Sequence, residues 1–419
     1  MAYPHETGIV SEPNHISVQK THFPHEEQCT MSAPRITLVQ YSGHRDGSAL
    51  SALSIAKGFR QKGWHVDLIF GINGKLYQES ENKNFNTQLI PHKSWLRDER
   101  PIGFLRNLWT ERTHKRPFID AFNKSRSQLI YINTSVSLPA AMAAKHLNLP
   151  CIWHIREMMQ DQGGELKIPP IFKPVIPYIL RFNAKHFVYN THTAYAGMFG
   201  KKIGGQVIPV GISPVFESSH ETSTACRTQL KLPLDAKLIG IPGGLRKVKG
   251  QDWFLNAVKD WMKQNDYIHV SLAGNGSSSF TEQLNRFVDK AGLKERVHFL
   301  GNIDNMPAFY RANDVICIPS RGETFGRCAV EAMACQVPVV TTTSGGLKEI
   351  VQNNHNGLSI PFGDNDQLLQ ALNRLLVDDD FARQIAERAF KVYKNLYTES
   401  LYFNRITTFA QSVLNRVTR

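Results

Sequence analysis

Two glutamates with seven residues between them, Glu323 and Glu331, stand in the run Pro319-Ser-Arg-Gly-Glu-Thr-Phe-Gly-Arg-Cys-Ala-Val-Glu331-Ala-Met-Ala. An apolar strand ends at Pro319, a glycine-containing loop follows, and the apolar spacing predicts a helix opening near Gly326. The first amides of such a helix have no internal acceptors, and its positive dipole end points into the loop. The tip formed by Thr324, Phe325 and Gly326 is therefore suited to a phosphate. Carboxylates are poor phosphate ligands but good acceptors for sugar hydroxyls. Glu323 in the loop and Glu331 about one and a half turns into the helix thus describe, with the helix tip, a pocket for something like a nucleotide sugar. The plainer reading has Glu323 capping the helix and Glu331 facing water.

Other segments carry chemistry at similar places. Gly243-Gly-Leu-Arg-Lys-Val-Lys-Gly250 follows a strand and puts Arg246 and Lys249 in a basic loop. Ala273-Gly-Asn-Gly276 ends another strand, with Gly274 and Gly276 marking a tight turn. Asp46-Gly47-Ser48 precedes a helix, and His154 stands at the end of the strand Cys151–Ile155. Asp364-Asn-Asp366 has a spacing known from metal sites, but it opens a helical run and reads as a cap. Asp378-Asp-Asp380 reads as a solvated helix junction.

These residues need a scaffold that brings loops together. The 419 residues are 42% hydrophobic and 20% charged, enough for more than one core. Short β-branched runs alternate with helical stretches in two series of similar length. The fold class is therefore α/β: two doubly wound Rossmann-like domains facing each other across a cleft, with ligands at the carboxyl ends of the strands. Residues 1–34 lack apolar periodicity and read as a disordered leader, with Met31 a candidate start. The first domain is placed at 35–211 and the second at 212–395. Residues 396–419 read as a helix packing back toward the first domain.

The E-x7-E pattern in its setting resembles the donor-site signature of family 4 retaining glycosyltransferases, which have the GT-B fold. The resemblance covers about residues 35–395 and is strongest from 238 to 375. It implies that the second domain binds a nucleotide diphosphate sugar and the first an acceptor, a glycan, polysaccharide or lipid-linked hydroxyl. Lys249 matches the family's diphosphate-gripping lysine. Gly244 stands where its partner arginine is usual, and Arg246 or Lys247 replaces that charge. Gly274 and Gly276 resemble the glycine turn near the nucleotide, Gly47 the first-domain glycine turn, and Thr343–Glu349 a turn near the donor. His154 matches the active-site histidine, with Arg156 and Glu157 beside it as acceptor contacts. The implied reaction keeps the anomeric configuration through same-face attack, with cationic groups in place of a metal and no cofactor. His154, Lys249 and Glu323 are the expected catalytic residues. Glycine at 244 favours a competing reading, a nucleotide-sugar-binding subunit without activity. A sugar-nucleotide epimerase or a nucleic-acid binder explains the motifs less well, and no nucleic acid is expected as a partner.

The formal charge of +13 is one-sided: residues 35–210 hold 24 basic against 11 acidic residues. Lys93–Arg126 is the densest stretch. There Arg97, Arg100, Arg106, Arg112, Lys115, Arg116 and Lys124 interleave with Trp95, Leu96, Phe104, Leu105, Leu108 and Trp109. Such a segment suits an anionic membrane surface, with Pro169–Phe182 as a second contact. The alternative is a cationic segment packed on its own domain. No apolar run is long enough to span a bilayer, and no secretory signal pattern opens the chain. Six cysteines without CxxC spacing read as reduced thiols. The expected location is cytoplasmic, at most peripheral to the inner face of the cell membrane.

Overall fold

The computed structural model describes residues 33–416 apart from 97, 160–165, 198–199 and 219–220. The expected leader up to residue 32, with Met31, and Arg97 of the basic stretch lie outside the described residues.

Seven strands form the first sheet: β1 (Arg35–Gln40), β2 (His65–Phe70), β3 (Asn86–Leu89), β4 (Leu129–Ile132), β5 (Cys151–Ile155), β6 (His186–Tyr189) and β7 (Gln206–Val207). Six form the second: β8 (Lys237–Pro242), β9 (Ile268–Ala273), β10 (Val297–Gly301), β11 (Val315–Ile318), β12 (Val339–Thr342) and β13 (Leu358–Ile360). Their orders are β3-β2-β1-β4-β5-β6-β7 and β10-β9-β8-β11-β12-β13, and the pairings between neighbours are parallel. Central strands such as β4, β11 and β12 are buried along their whole length, as strands covered by helices on both faces must be. Strand order reverses between β1 and β4 and between β8 and β11. The loops after β1, β8 and β11 therefore open at the two switch points, where doubly wound sheets bind ligands. β3 is absent from the sequence reading because Asn-Thr-Gln-Leu is a polar, half-exposed edge strand without an apolar run.

Three helices follow β13, Asn365–Val377, Asp379–Leu396 and Glu399–Asn415, the last two where the sequence reads as one helical segment. Asp379–Leu396 ends, the chain turns at Tyr397 and Thr398, and Glu399–Asn415 begins under a Thr398 cap. At this turn Ile212 N–H donates to Tyr397 O and Glu399 N–H to Ile212 O, at 2.8 and 3.1 Å, so the chain's two crossings between the halves are bonded together. The closing helix lays Tyr402, Phe403 and Ile406 on the first helix, Gly47–Gln61. Gly58 permits that approach, since a Cβ there would stand 2.6 Å from Phe403 Cγ.

The basic stretch is two helices, Pro101–Thr113 and Lys115–Lys124. Trp95, Leu96 and Phe104, expected as surface aromatics and aliphatics, are instead in the first domain's core at 0, 0 and 1% exposure. The five described cysteines are unbridged. Among the described residues no helix is long and apolar enough to cross a membrane.

Candidate active site

The loop after β8 is pressed against the loop after β11. Gly250 has φ 76°, and a Cβ there would stand 1.8 Å from Pro319 O, so only glycine fits. This contact carries Lys249, at the end of a short 3-10 turn, to Glu323, and the two form an ion pair. Burial works against the Lys249 charge, but the neighbouring Glu323 outweighs it and holds the ammonium above its ordinary range. Arg321 braces the turn from below through a bidentate pair with Asp252 at 2.7 and 3.0 Å.

The helix Arg327–Ala334 starts on Gly326, whose φ of 105° only glycine adopts readily, and no side chain caps it. Glu323, which the plainer reading made the cap, is bound to Lys249 instead. Glu331 does not face water either: it is 6% exposed, accepting from Tyr310 Oη at 2.7 Å and from Arg327 Nε at 2.6 Å. Cys328, between the two glutamates in sequence, is pushed up to about 12 by burial and by Glu331. Thr324 and Phe325 form the tip's outer wall. Thr324 O accepts from Thr191 of the first domain at 3.0 Å, and Phe325 lies edge-on to Tyr397.

Arg327 is the residue the sequence reading misses. Its side chain reaches across the cleft: a Cβ on Gly47 would be 3.7 Å from Arg327 Cδ. Its buried Nη1 has no hydrogen-bond partner among the described residues. The available signal was its position one turn before Glu331, where the pair shares a helix face. Arg246 begins the basic turn, and its Nε lies 3.9 Å from where a Gly244 Cβ would be, so the side chain folds back over the expected arginine's place. Gly274 and Gly276 hold the β8 and β9 loops in contact. Added Cβ atoms would stand 2.5 Å from Gly243 O and 2.3 Å from Leu245 O.

Two first-domain candidates have partners of their own. The start of the Gly47 helix is closed by its own Asp46, whose Oδ1 accepts from Ser48 N and Ala49 N at 2.9 Å each and from Ser48 Oγ at 2.7 Å. Gly47 faces the other domain, but the amides behind it are taken. His154 is fully buried, not at the cleft surface. Asn190 Oδ1 can only accept, so Nε2–H donates to it at 2.6 Å, and Tyr131 Oη donates to Nδ1 at 2.8 Å. Burial, joined by the Arg156 charge, holds the imidazole neutral and well below its usual range. Arg156 is buried as well, bonded to Ser51 Oγ at 2.9 Å, while Glu157 accepts from Ser135 N and Arg156 N.

The turn at Thr343–Glu349 joins the halves. Glu349 accepts from His192 N and from Thr193 N and Oγ1, capping a first-domain helix. A cavity of about 400 Å³ lies beside this strut, walled by Thr191, Phe325, Glu349 and Tyr397, and does not include the Lys249–Glu323 pair. Asp364 and Asp378 accept from Gln367 N and Phe381 N as helix caps.

Residues 223–392 match the Glycosyl transferases group 1 family. A D-inositol 3-phosphate glycosyltransferase of Corynebacterium jeikeium is 31% identical over 193 residues, 44% of this chain and 46% of the relative. An uncharacterised glycosyltransferase of Methanocaldococcus jannaschii is 31% identical over 191 residues, 44% and 48% of the two chains. The chain thus spans about half the length of the curated relatives it matches. Among solved structures, Anabaena HepE in complex with UDP and glucose superposes with a TM-score of 0.78 over 90% of this chain and 100% of its own, at 21% identity. Sucrose-phosphate synthase from Thermosynechococcus elongatus gives 0.73 over 91% and 100%, at 19% identity.

Proposed function

Because residues 223–392 form a glycosyl transferases group 1 domain within a GT-B fold, we propose that the chain transfers a sugar from a nucleotide diphosphate sugar to a hydroxyl of a glycan, polysaccharide or lipid-linked acceptor, with retention at the anomeric carbon. The observation that carries the reading is the Lys249–Glu323 pair set beside a helix start that no side chain caps. A diphosphate entering there meets the Lys249 ammonium and the first amides of the Arg327 helix, while Glu323 and Glu331 accept from sugar hydroxyls. Arg327, and Arg246 folded over Gly244, supply the cationic charge that glycine at 244 removes.

In the step itself the acceptor oxygen bonds to the anomeric carbon on the face from which the diphosphate leaves. The carbon–oxygen bond to the diphosphate breaks, and the acceptor's proton passes to the departing phosphate oxygen. Negative charge grows on the leaving group, and fixed cations and amides aimed at it lower the barrier without a metal. The first domain positions the acceptor, with buried His154 holding β5 to the chain just after β6.

HepE's complex with UDP and glucose makes UDP-glucose the first donor to try. Purified full chain is incubated with a panel of UDP- and GDP-sugars in a chelator, and released nucleotide and product anomer are followed. The expected result is slow nucleotide release with the donor's configuration kept. An inverted product sinks retention, and a strict Mn²⁺ or Mg²⁺ requirement sinks metal-free catalysis. A donor that raises Tm but is never cleaved makes the chain a binder without activity.

A further inference from the structure

Outside the cleft, two first-domain elements turn large apolar side chains toward water in the same arrangement. On the helix Pro101–Thr113, Ile102, Leu105 and Trp109 are 83, 50 and 67% exposed. They sit at positions i, i+3 and i+7, one stripe of a helix. Arg106 and Arg112 border that stripe on its two sides, both exposed. Val175 and the helix it opens, Ile176–Asn183, repeat the spacing with Val175, Tyr178 and Phe182 at 46, 76 and 70% exposure. Exposed Arg181 stands beside them, and the Lys145 ammonium lies over the Phe182 ring.

The inner sides of both elements belong to one core, holding Phe104, Ile176 and Leu180, and Phe104 stacks on Phe172 with centroids 4.9 Å apart. The stripes therefore share one face of the first sheet. The nearby carboxylates do not cancel the basic border: Asp98 and Glu99 are tied to Arg100 and Lys167, and Glu111 is buried. Apolar stripes on soluble domains are ordinarily turned inward, so six outward side chains of this size mark an interaction surface.

We propose that this face docks on an anionic lipid bilayer, the apolar stripes entering the boundary between headgroups and acyl chains and the arginines meeting lipid phosphates. The charge decides the occupant, since basic residues bordering an apolar centre complement an anionic interface.

The test is flotation of the full chain with vesicles of phosphatidylglycerol and phosphatidylcholine, against phosphatidylcholine alone, at low salt. Binding to the anionic vesicles is expected, falling as salt rises. The triple variant Ile102→Ser, Trp109→Ser, Tyr178→Ser should bind at least about tenfold more weakly at unchanged Tm. Trp109 is the one exposed tryptophan among the described residues, so brominated lipid should quench emission from the native chain and spare Trp109→Phe. The proposal fails if the native chain does not float with anionic vesicles, or if the triple variant binds as well as the native chain. It fails equally if size-exclusion shows a dimer that the same substitutions disperse, since a second copy then covers the face.

Discussion

Each Rossmann-like half opens a helix at its switch point, after β1 in the first and after β11 in the second, and the two starts are finished in opposite ways. In the first half Asp46 fills the amides of the Gly47 helix with its own carboxylate. In the second half Gly326 opens the Arg327 helix with no side chain over the amides, and Lys249 waits alongside. One start is complete as it stands, and the other leaves donors for an anion to satisfy. Both starts lie at switch points, and the capping residues set them apart.

The largest expected effect removes the cation from the open end. Lys249→Ala should lower kcat by about two to three powers of ten, roughly 3–4 kcal/mol in the barrier, in initial-rate assays with saturating donor. In the proposed reaction the ammonium meets charge that develops only as the leaving group departs, so the loss should fall on kcat more than on KM. If the variant loses Tm but keeps its rate, the Lys249–Glu323 pair is a structural strut and the two helix starts are functionally alike.

How much of this was legible in sequence follows the same contrast. The open end sits on a continuous run, Val315 to Ala334, in which strand, loop and helix are contiguous, so Glu323, Gly326 and Glu331 could be placed from spacing alone. Arg327 could not, because its reach to Gly47 depends on how the halves face each other. His154 stands at the end of β5 as read, but its burial between Tyr131 and Asn190 depends on the neighbouring strands, which spacing along one strand does not give. The basic stretch was legible as amphipathic but not as to which apolar residues turn inward. That is set by the core of the sheet beneath it.

His154 gives the next effect, a test in pH. Its pKa is depressed in the folded chain, so the unfolded chain binds the proton first. Stability is fully present above the unfolded value of about 6.5 and is lost as pH falls below it, by about 1.4 kcal/mol per pH unit for one proton. His154→Asn should be less stable at pH 8 yet show a shallower decline in chemical-denaturation stability from pH 6.5 downward. An unchanged slope would mean that His154 takes up its proton in the folded state and is open to the cleft after all.

The smallest effect probes the closed end. Asp46→Ala deletes an N-cap and should cost about 1 kcal/mol of stability, read as a lower denaturation midpoint. If the first half is closed because its helix is already satisfied, donor KM should stay the same, since the diphosphate is held from the other side of the cleft. Should donor affinity rise instead, the freed amides of Ser48 and Ala49 have joined the diphosphate site. Asp46 would then act as a competitor for the donor phosphate, and the difference between the halves would come down to one carboxylate.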